Sequence, residues 1–273
     1  LEEINYCSSL WKHASLETGK IKDKILKINK KTYCKISQEA VGVTVLIVPW
    51  NFPLIVLSER LPYILGAGCS VIVKPSEFAS ESIIKFFDLL KKSNLPKGVL
   101  NLVLGDGKYT GSTLIKAKNV KMISFTGSTR GGKSVTKESA ETIKKVTLEL
   151  GGKSPNLVFA DCDLQQRVTD SVNECMFNTG QSCDAPTRLL VEKSCYDQVL
   201  EIAKKAAENV SVNDPSKDGD HIGPLFDKIQ YDRVQNMIQV GIDEGASLLT
   251  GGLGKPDGFK NGWYVKPTIF SDV

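Results

Sequence analysis

The sequence predicts an α/β protein: a parallel sheet covered by helices on both faces, followed by a second α/β region. Two observations carry that expectation. Between residues 43 and 150 short apolar runs alternate with stretches of helical periodicity, the βαβ rhythm from which parallel sheets are built. In the same stretch each polar or glycine-bearing motif stands at the end of a strand-like run, and open parallel sheets bind ligands beyond the carboxyl ends of their strands.

In chain order, residues 1–15 read as a helix entered partway, and residues 27–41 alternate loosely, as a β-hairpin arm does. Strand-like runs follow at 43–48, 70–73, 100–104, 122–125 and 146–150, with helical stretches between them at 54–65, 80–92, 110–116 and 129–144. Beyond Glu149 come a strand at 156–159, a helix at 164–177, a strand at 188–192 and helices at 196–209 and 227–244. A glycine-rich loop at 251–262 precedes a last strand at 264–270. The glycine pair at 151–152 marks the expected boundary, giving domains 1–150 and 151–273. Leu1 is not an initiator Met and residue 273 closely follows a strand, so the chain reads as the middle of a longer protein.

Bulk properties narrow the function. At 273 residues, 41% hydrophobic and 24% charged, the chain is long enough for a large core and ordinary for a globular protein. Lys and Arg total 35 against 31 Asp and Glu, and the basic residues are scattered, which argues against a nucleic-acid partner. The basic run at 20–31 reads as a solvated face. No apolar run reaches membrane-spanning length and no signal peptide is expected. The seven cysteines include no Cys-x-x-Cys pair, and His13 and His221 are the only histidines. That pattern predicts no metal site and no secreted disulfide framework, and points to a reducing cytoplasm.

Chemistry concentrates in a few segments. Cys183, in Asn178-Thr179-Gly180-Gln181-Ser182-Cys183, follows a helix and falls in a loop, where a thiol can act as a nucleophile. Thiolate is favoured by nearby positive charge or backbone donors. Asp184 opposes it, and Arg188 is a cation that could offset Asp184. Glu149, in an alternating strand ahead of two glycines, reads either as a solvated side chain or as a general base raised in pKa by partial burial. Asn51, held between Trp50 and Phe52 and flanked by Pro49 and Pro53, could donate to an oxyanion or simply stabilise a turn. Lys74-Pro75-Ser76-Glu77 offers a donor and an acceptor to ribose hydroxyls, and its carboxylate would repel a 2′-phosphate. Gly105-Asp106-Gly107 nearly matches a dinucleotide fingerprint, but Thr110 stands where its third glycine would be. A competing motif runs from Gly127 to Ser134. It matches the phosphate-binding P-loop pattern, with Lys133 as its lysine and Asp161 as a strand-end Mg²⁺ ligand.

Taken together, Pro49-Trp50-Asn51-Phe52-Pro53, Phe125-Thr126-Gly127-Ser128-Thr129, Glu149-Leu150-Gly151-Gly152-Lys153 and the Cys183 segment resemble the aldehyde dehydrogenase superfamily, in family order from about residue 27 onward. The resemblance implies a Rossmann-like NAD domain, an α/β catalytic domain incomplete at its C-terminus, and the 27–41 arm as an oligomerisation element of a homodimer or homotetramer. It implies Cys183 as nucleophile, Glu149 as base and Asn51 as oxyanion donor. Lys74 and Glu77 would meet the adenosine ribose, Ser128 the pyrophosphate, and Gly105 and Gly107 the adenine. Trp50 and Leu150 would lie toward the nicotinamide. Ile47, Val48, Pro49 and Ser76 complete the implied cofactor contacts around the first two strand tips. Phe125, Thr126, Gly127, Gly131 and Gly151 complete them around the last two. NAD is implied in preference to NADP.

The implied reaction is oxidation of an aldehyde to a carboxylic acid through a Cys183 thiohemiacetal and a thioester hydrolysed with Glu149. A CoA-acylating branch of the superfamily, a P-loop NTPase and a non-catalytic relative are the alternatives. The segments 185–188 and 265–268 look closest to enzymes acting on aliphatic or semialdehyde substrates. The family's later Glu-Ile-Phe-Gly-Pro motif does not occur in these 273 residues, so the piece alone is expected to be poorly active.

Overall fold

A computed structural model of the chain describes residues 2–273. It divides into two compact units, one ending at Leu150 and the other beginning at Gly151.

The first unit contains α1 (Glu2–Thr18), β1 (Lys24–Lys27), β2 (Tyr33–Ile36), β3 (Val43–Val48), α2 (Pro53–Gly66), β4 (Val71–Pro75) and α3 (Ser80–Leu90). It continues with β5 (Leu100–Leu102), a π-helical turn (Gly107–Gly111), α4 (Ser112–Lys116), β6 (Val120–Gly127), α5 (Thr129–Ala140) and β7 (Lys145–Leu150). Strands β3 to β7 form one sheet in the order β5-β4-β3-β6-β7, every neighbouring pair parallel. The chain winds outward from β3 through β4 to β5, then returns to the other side of β3 with β6. The strand order therefore reverses between β3 and β6, the topological switch point at which such sheets open a crevice.

Period-two alternation explains why both faces are covered. In β3, Leu46 and Val48 join one core with Val56, Leu57, Leu61, Val71, Val73 and Ile83, which α2 and α3 complete. Val45 turns to the opposite core, with Ile115, Val120, Ile123 and Val135 from α4, β6 and α5. Val120 and Ile123 share a face despite their odd spacing because the β3–β6 register shifts between Val43 and Thr44.

The second unit contains β8 (Pro155–Val158), α6 (Leu164–Met176), a 3-10 turn (Phe177–Gly180), β9 (Arg188–Val191) and α7 (Tyr196–Glu208). A long helix α8 (Lys228–Asp243) and strands β10 (Ser247–Thr250) and β11 (Ile269–Ser271) follow. β8 pairs in parallel with β9, and β10 antiparallel with β11. Val158, Leu164, Val168, Val172, Val199 and Ile202 form its core between α6 and α7.

Three expectations need correction. The hairpin pairs β1 with β2, so it spans residues 24–36 rather than 27–41. Its turn is made by Asn29, whose Oδ1 accepts the N–H groups of Lys31 and Thr32, and the strand start was hidden by the lysines that bracket Ile25 and Leu26. The strand expected at 264–270 shrinks to Ile269–Ser271. Pro267 has no N–H to give a ladder, and the Thr268 hydroxyl bonds instead to the Lys266 carbonyl and the Gly252 N–H. Its partner β10 was not anticipated. Finally, α5 stops at Ala140 rather than reaching residue 144, and Ile143 turns into the left-handed region.

Candidate active site

The site residues of the first unit gather at the carboxyl ends of its parallel strands. In register, Ile47 stands opposite both Lys74 and Phe125, Val48 opposite Pro75, and Glu149 and Leu150 opposite Thr126 and Gly127. Asn51 lies half-buried in the Pro49–Phe52 turn between β3 and α2, and Pro53, with its φ already helical, opens α2. The Leu54 and Ile55 N–H groups of that first turn both donate to Glu3 Oε1 at 3.1 Å, which pins the turn to α1. The Ser76 N–H donates to the Val48 carbonyl at 3.0 Å and ties the tips of β4 and β3 together.

Lys74 is 2% exposed, the largest fully buried side chain in the described residues. Its Nζ donates to the Pro75 carbonyl at 3.0 Å and lies 3.4 Å from Glu77 Oε2, whose side chain is 43% exposed. An ammonium has three donors, and these are two acceptors. Burial of a cation with so little compensation suits a site where a polar ligand completes its hydrogen bonds.

Around β6 the glycines serve an aromatic ring. A Cβ on Gly127 or on Gly131 would fall 2.7 Å from Phe125 Cζ, so the ring occupies space that both glycines leave open. Ser128 is the N-cap of α5, its Oγ accepting from the Gly131 N–H at 3.1 Å. Thr126 Oγ1 is buried and has no hydrogen-bond partner among the described residues.

This geometry overturns the P-loop reading. Such a loop needs free backbone N–H groups curled round a phosphate, whereas α5 begins at Thr129 and places Gly131 to Ser134 inside its opening turns. The Gly131 and Gly132 N–H groups already bond to Ser128, and Lys133 is exposed on the helix. No group of three or more potential metal ligands occurs among the described residues, and no described helix is long and apolar enough to cross a membrane.

Gly105 and Gly107 stand apart from the others, following the edge strand β5. Gly105 has φ 144°, and a Cβ there would meet Thr110 Oγ1 at 2.1 Å. Thr110, which broke the fingerprint, is thus the residue that Gly105 accommodates. A Cβ on Gly107 would meet nothing within 4 Å, leaving its backbone open to a ligand.

Of its two expected settings, Glu149 takes the solvated one. Its side chain is 61% exposed and sits 3.4 Å from Arg60 Nη2 of α2. The carboxylate is open to solvent and is held by an ion pair rather than by burial.

In the second unit the thiol is presented on strained backbone. After α6, Asn178 (φ 48°, ψ 33°), Thr179 (φ 59°, ψ 36°) and Gly180 (φ 70°) are left-handed in succession. For an L-residue this costs about 1–2 kcal/mol each, and a β-branched residue such as Thr179 suffers most. Cys183 follows and is exposed. A Cβ on Gly152 would lie 3.4 Å from the Cys183 carbonyl oxygen, an ordinary van der Waals contact, so the two segments run side by side. Asp184 accepts from the Ser182 hydroxyl, and Arg188 Nε donates to the Lys153 carbonyl at 2.8 Å, so the guanidinium is held at the start of β8. The nearby Cys175 differs in kind, since burial pushes its thiol up in pKa despite the Lys153 charge. Cys7, Cys69 and Cys195 are buried.

The family model "Aldehyde dehydrogenase family" matches residues 1–273. The chain belongs to the aldehyde dehydrogenase family. It is 44% identical over 239 residues to a 3-succinoylsemialdehyde-pyridine dehydrogenase of a Pseudomonas species, a match covering 88% of this chain and 50% of that protein. Among solved structures, an aldehyde dehydrogenase of Bartonella henselae is 43% identical with a TM-score of 0.91, covering 98% of this chain and 56% of that one. An NAD+ complex of a Bacillus cereus aldehyde dehydrogenase is 36% identical with a TM-score of 0.95, covering 99% and 55%. The chain spans about half the length of the curated relatives it matches.

Four residues that contact the Glu149 or Cys183 segments, each within its own unit, were not singled out from the sequence: Arg60, Gly152, Thr179 and Gln181. Gly152 carried a visible signal as half of a glycine pair beside a strand end. The other three show their roles only as contacts across 89, 44 and 45 residues of sequence respectively, which no local pattern announces.

Proposed function

We propose that the complete protein oxidises an aldehyde to a carboxylic acid with NAD, through covalent catalysis by Cys183. The observation that carries the proposal is an exposed thiol just after a strained left-handed turn in a chain of this family. Strain of this kind is retained where the surrounding structure over-determines it, and it concentrates at functional sites.

In this reading the Cys183 thiolate adds to the carbonyl carbon. The Asn51 amide and the Cys183 backbone N–H donate to the oxyanion, each contributing about 3 kcal/mol to the barrier reduction. NAD, when bound, would supply the acceptor for the hydride that leaves the thiohemiacetal carbon. Glu149 takes a proton from water as that water attacks the thioester, releasing the acid and the thiol. Lys74 and Glu77 would hold a ribose, the first through its spare donor and the second as acceptor. A 2′-phosphate would face the Glu77 carboxylate, so NAD is the proposed cofactor rather than NADP. The buried Thr126 hydroxyl, with no partner among the described residues, and the exposed N-cap Ser128 suit the polar middle of the same dinucleotide.

Aliphatic aldehydes or semialdehydes are the proposed substrates, in line with the semialdehyde named for the 44% identical relative. The hairpin of β1 and β2 is exposed along its whole length, with Ile25, Leu26 and Tyr33 open to solvent, which supports an arm that packs against a second copy in a homodimer or homotetramer. The cytoplasm is the proposed compartment. The test is NADH formation by the full-length protein over a panel of aldehydes. Unchanged turnover in Cys183→Ala, or reduction of no cofactor by any aldehyde, sinks the proposal.

A further inference from the structure

The left-handed turn before Cys183 does not hold itself. Two side chains bind it to the segment 223–226. Thr179 Oγ1 donates to the Gly223 carbonyl at 2.9 Å. Gln181 works from both ends of its amide: Nε2 donates to the Asn178 carbonyl at 2.9 Å, and Oε1 accepts from the Phe226 N–H at 3.2 Å. One amide thus closes the turn on itself and fastens it to a neighbouring strand of chain.

The anchor is rigid. Leu225 is buried and its N–H donates to the Trp263 carbonyl at 3.0 Å. Asp227, next in line, caps α8 by accepting the Gln230 N–H at 2.7 Å. A turn built from two non-glycine left-handed residues relaxes unless something outside it is stiffer, and this anchor is.

We infer that Gln181 and Thr179 are positioning residues, which keep the Cys183 loop in its reactive shape by lashing Asn178–Gly180 to residues 223–226. They touch the turn, not the substrate. The inference rests on Cys183 being the nucleophile, and its own claim concerns what aims that thiol.

The experiment uses the full-length enzyme and measures two rates: alkylation of Cys183 by iodoacetamide, followed by peptide mass spectrometry, and the single-turnover burst of NADH. Gln181→Met keeps the length and removes both hydrogen bonds. Thr179→Val keeps the shape and removes one, whereas Thr179→Ser keeps the hydroxyl. Misaiming a reactive group by a fraction of an ångström costs rate rather than binding, so Gln181→Met is expected to slow both processes about tenfold while the aldehyde KM and the NAD Kd move less than about twofold. Thr179→Val is expected to share the defect, and Thr179→Ser to react as the unaltered enzyme does. A role confined to stability would not separate Val from Ser well below the melting temperature. If Gln181→Met fails to fold, the Val and Ser pair decides alone. Alkylation and burst at or above the unaltered rates in Gln181→Met or Thr179→Val overturn the inference. Unchanged turnover in Cys183→Ala overturns instead the reading beneath it.

Discussion

Arg60 Nη2 lies 3.4 Å from Glu149 Oε1, joining the helix that follows the Asn51 turn to the end of strand β7. An exposed pair of this kind stabilises the fold by at most about 1 kcal/mol. Its consequence is orientation: the guanidinium sets where the carboxylate rests. Arg60→Met is therefore expected to leave unfolding within about 1 kcal/mol of the unaltered protein. The hydrolytic step should slow about fivefold, since about 1 kcal/mol of lost orientation corresponds to that factor. Arg60→Lys should keep most of the rate. Steady-state turnover set against the NADH burst reads the difference, because the burst precedes hydrolysis. A burst reduced along with turnover would contradict this assignment of the pair.

Removing the proposed base is a sharper test. Glu149→Gln is expected to retain the burst and to lose about 10²- to 10⁴-fold in steady-state turnover, the usual contribution of a positioned general base. Adding coenzyme A to this variant separates the two branches of the family. Turnover that stays low supports hydrolysis, and full recovery with release of an acyl-CoA supports acyl transfer.

On the other side of β3, the Lys74–Glu77 pair is the one proposed to set the choice of cofactor. Glu77→Gln removes the charge that would face a 2′-phosphate while keeping an acceptor for a hydroxyl. The expected result is a fall of about tenfold in the KM for NADP, the worth of about 1.4 kcal/mol of relieved repulsion, with a smaller change for NAD. Lys74→Met should weaken both cofactors, because it removes a buried donor that both riboses share. An unaltered NADP KM in Glu77→Gln would remove the basis for preferring NAD.

Much of this was legible in the sequence, for a physical reason. Alternation of strand and helix, and motifs that fall at strand ends, are local patterns, so the parallel sheet and its row of Asn51, Lys74, Thr126 and Glu149 could be read before any coordinates. What local pattern does not encode is partnership at long range. Arg60 gives no hint that it will meet Glu149, and Gln181 reads as one more polar loop residue until Phe226 appears opposite it. The P-loop match fails for a related reason. The spacing of Gly127, Gly131 and Gly132 is the same whether the glycines admit a phosphate or, as here, the side chains of Phe125 and Leu150.

That packing makes a prediction about stability. Gly127→Ala would put a methyl 2.7 Å from Phe125 Cζ, closer than carbon atoms approach, and overpacking of this degree costs about 1–3 kcal/mol. The added Phe125→Leu change removes the far edge of the ring and should recover part of the loss. Urea denaturation of the single and double variants measures both. Equal stability of Gly127→Ala and the unaltered protein would show that the ring moves aside without cost.

Glu138 connects acidity to the same part of the fold. Its carboxylate, in α5, accepts from the Ser112 hydroxyl of α4 and from Ser134 at 2.9 Å, and Lys116 Nζ lies 3.6 Å away. Burial works to raise its pKa, yet the hydroxyls of Ser112 and Ser134 and the Lys116 charge together hold it below the ordinary value. A carboxyl group whose pKa is lower folded than unfolded gives stability that is complete above the unfolded pKa. That stability is lost as pH falls through the folded one. Glu138→Gln is therefore expected to be less stable than the unaltered protein near neutral pH. The gap should narrow as pH drops below the ordinary carboxylate range, because protonation removes the same charge from the native residue. Urea midpoints taken at neutral pH and at successively lower pH values trace that convergence. A gap that stays constant or widens toward acid would mean that the α4–α5 clamp depends on the shape of Glu138 and not on its charge.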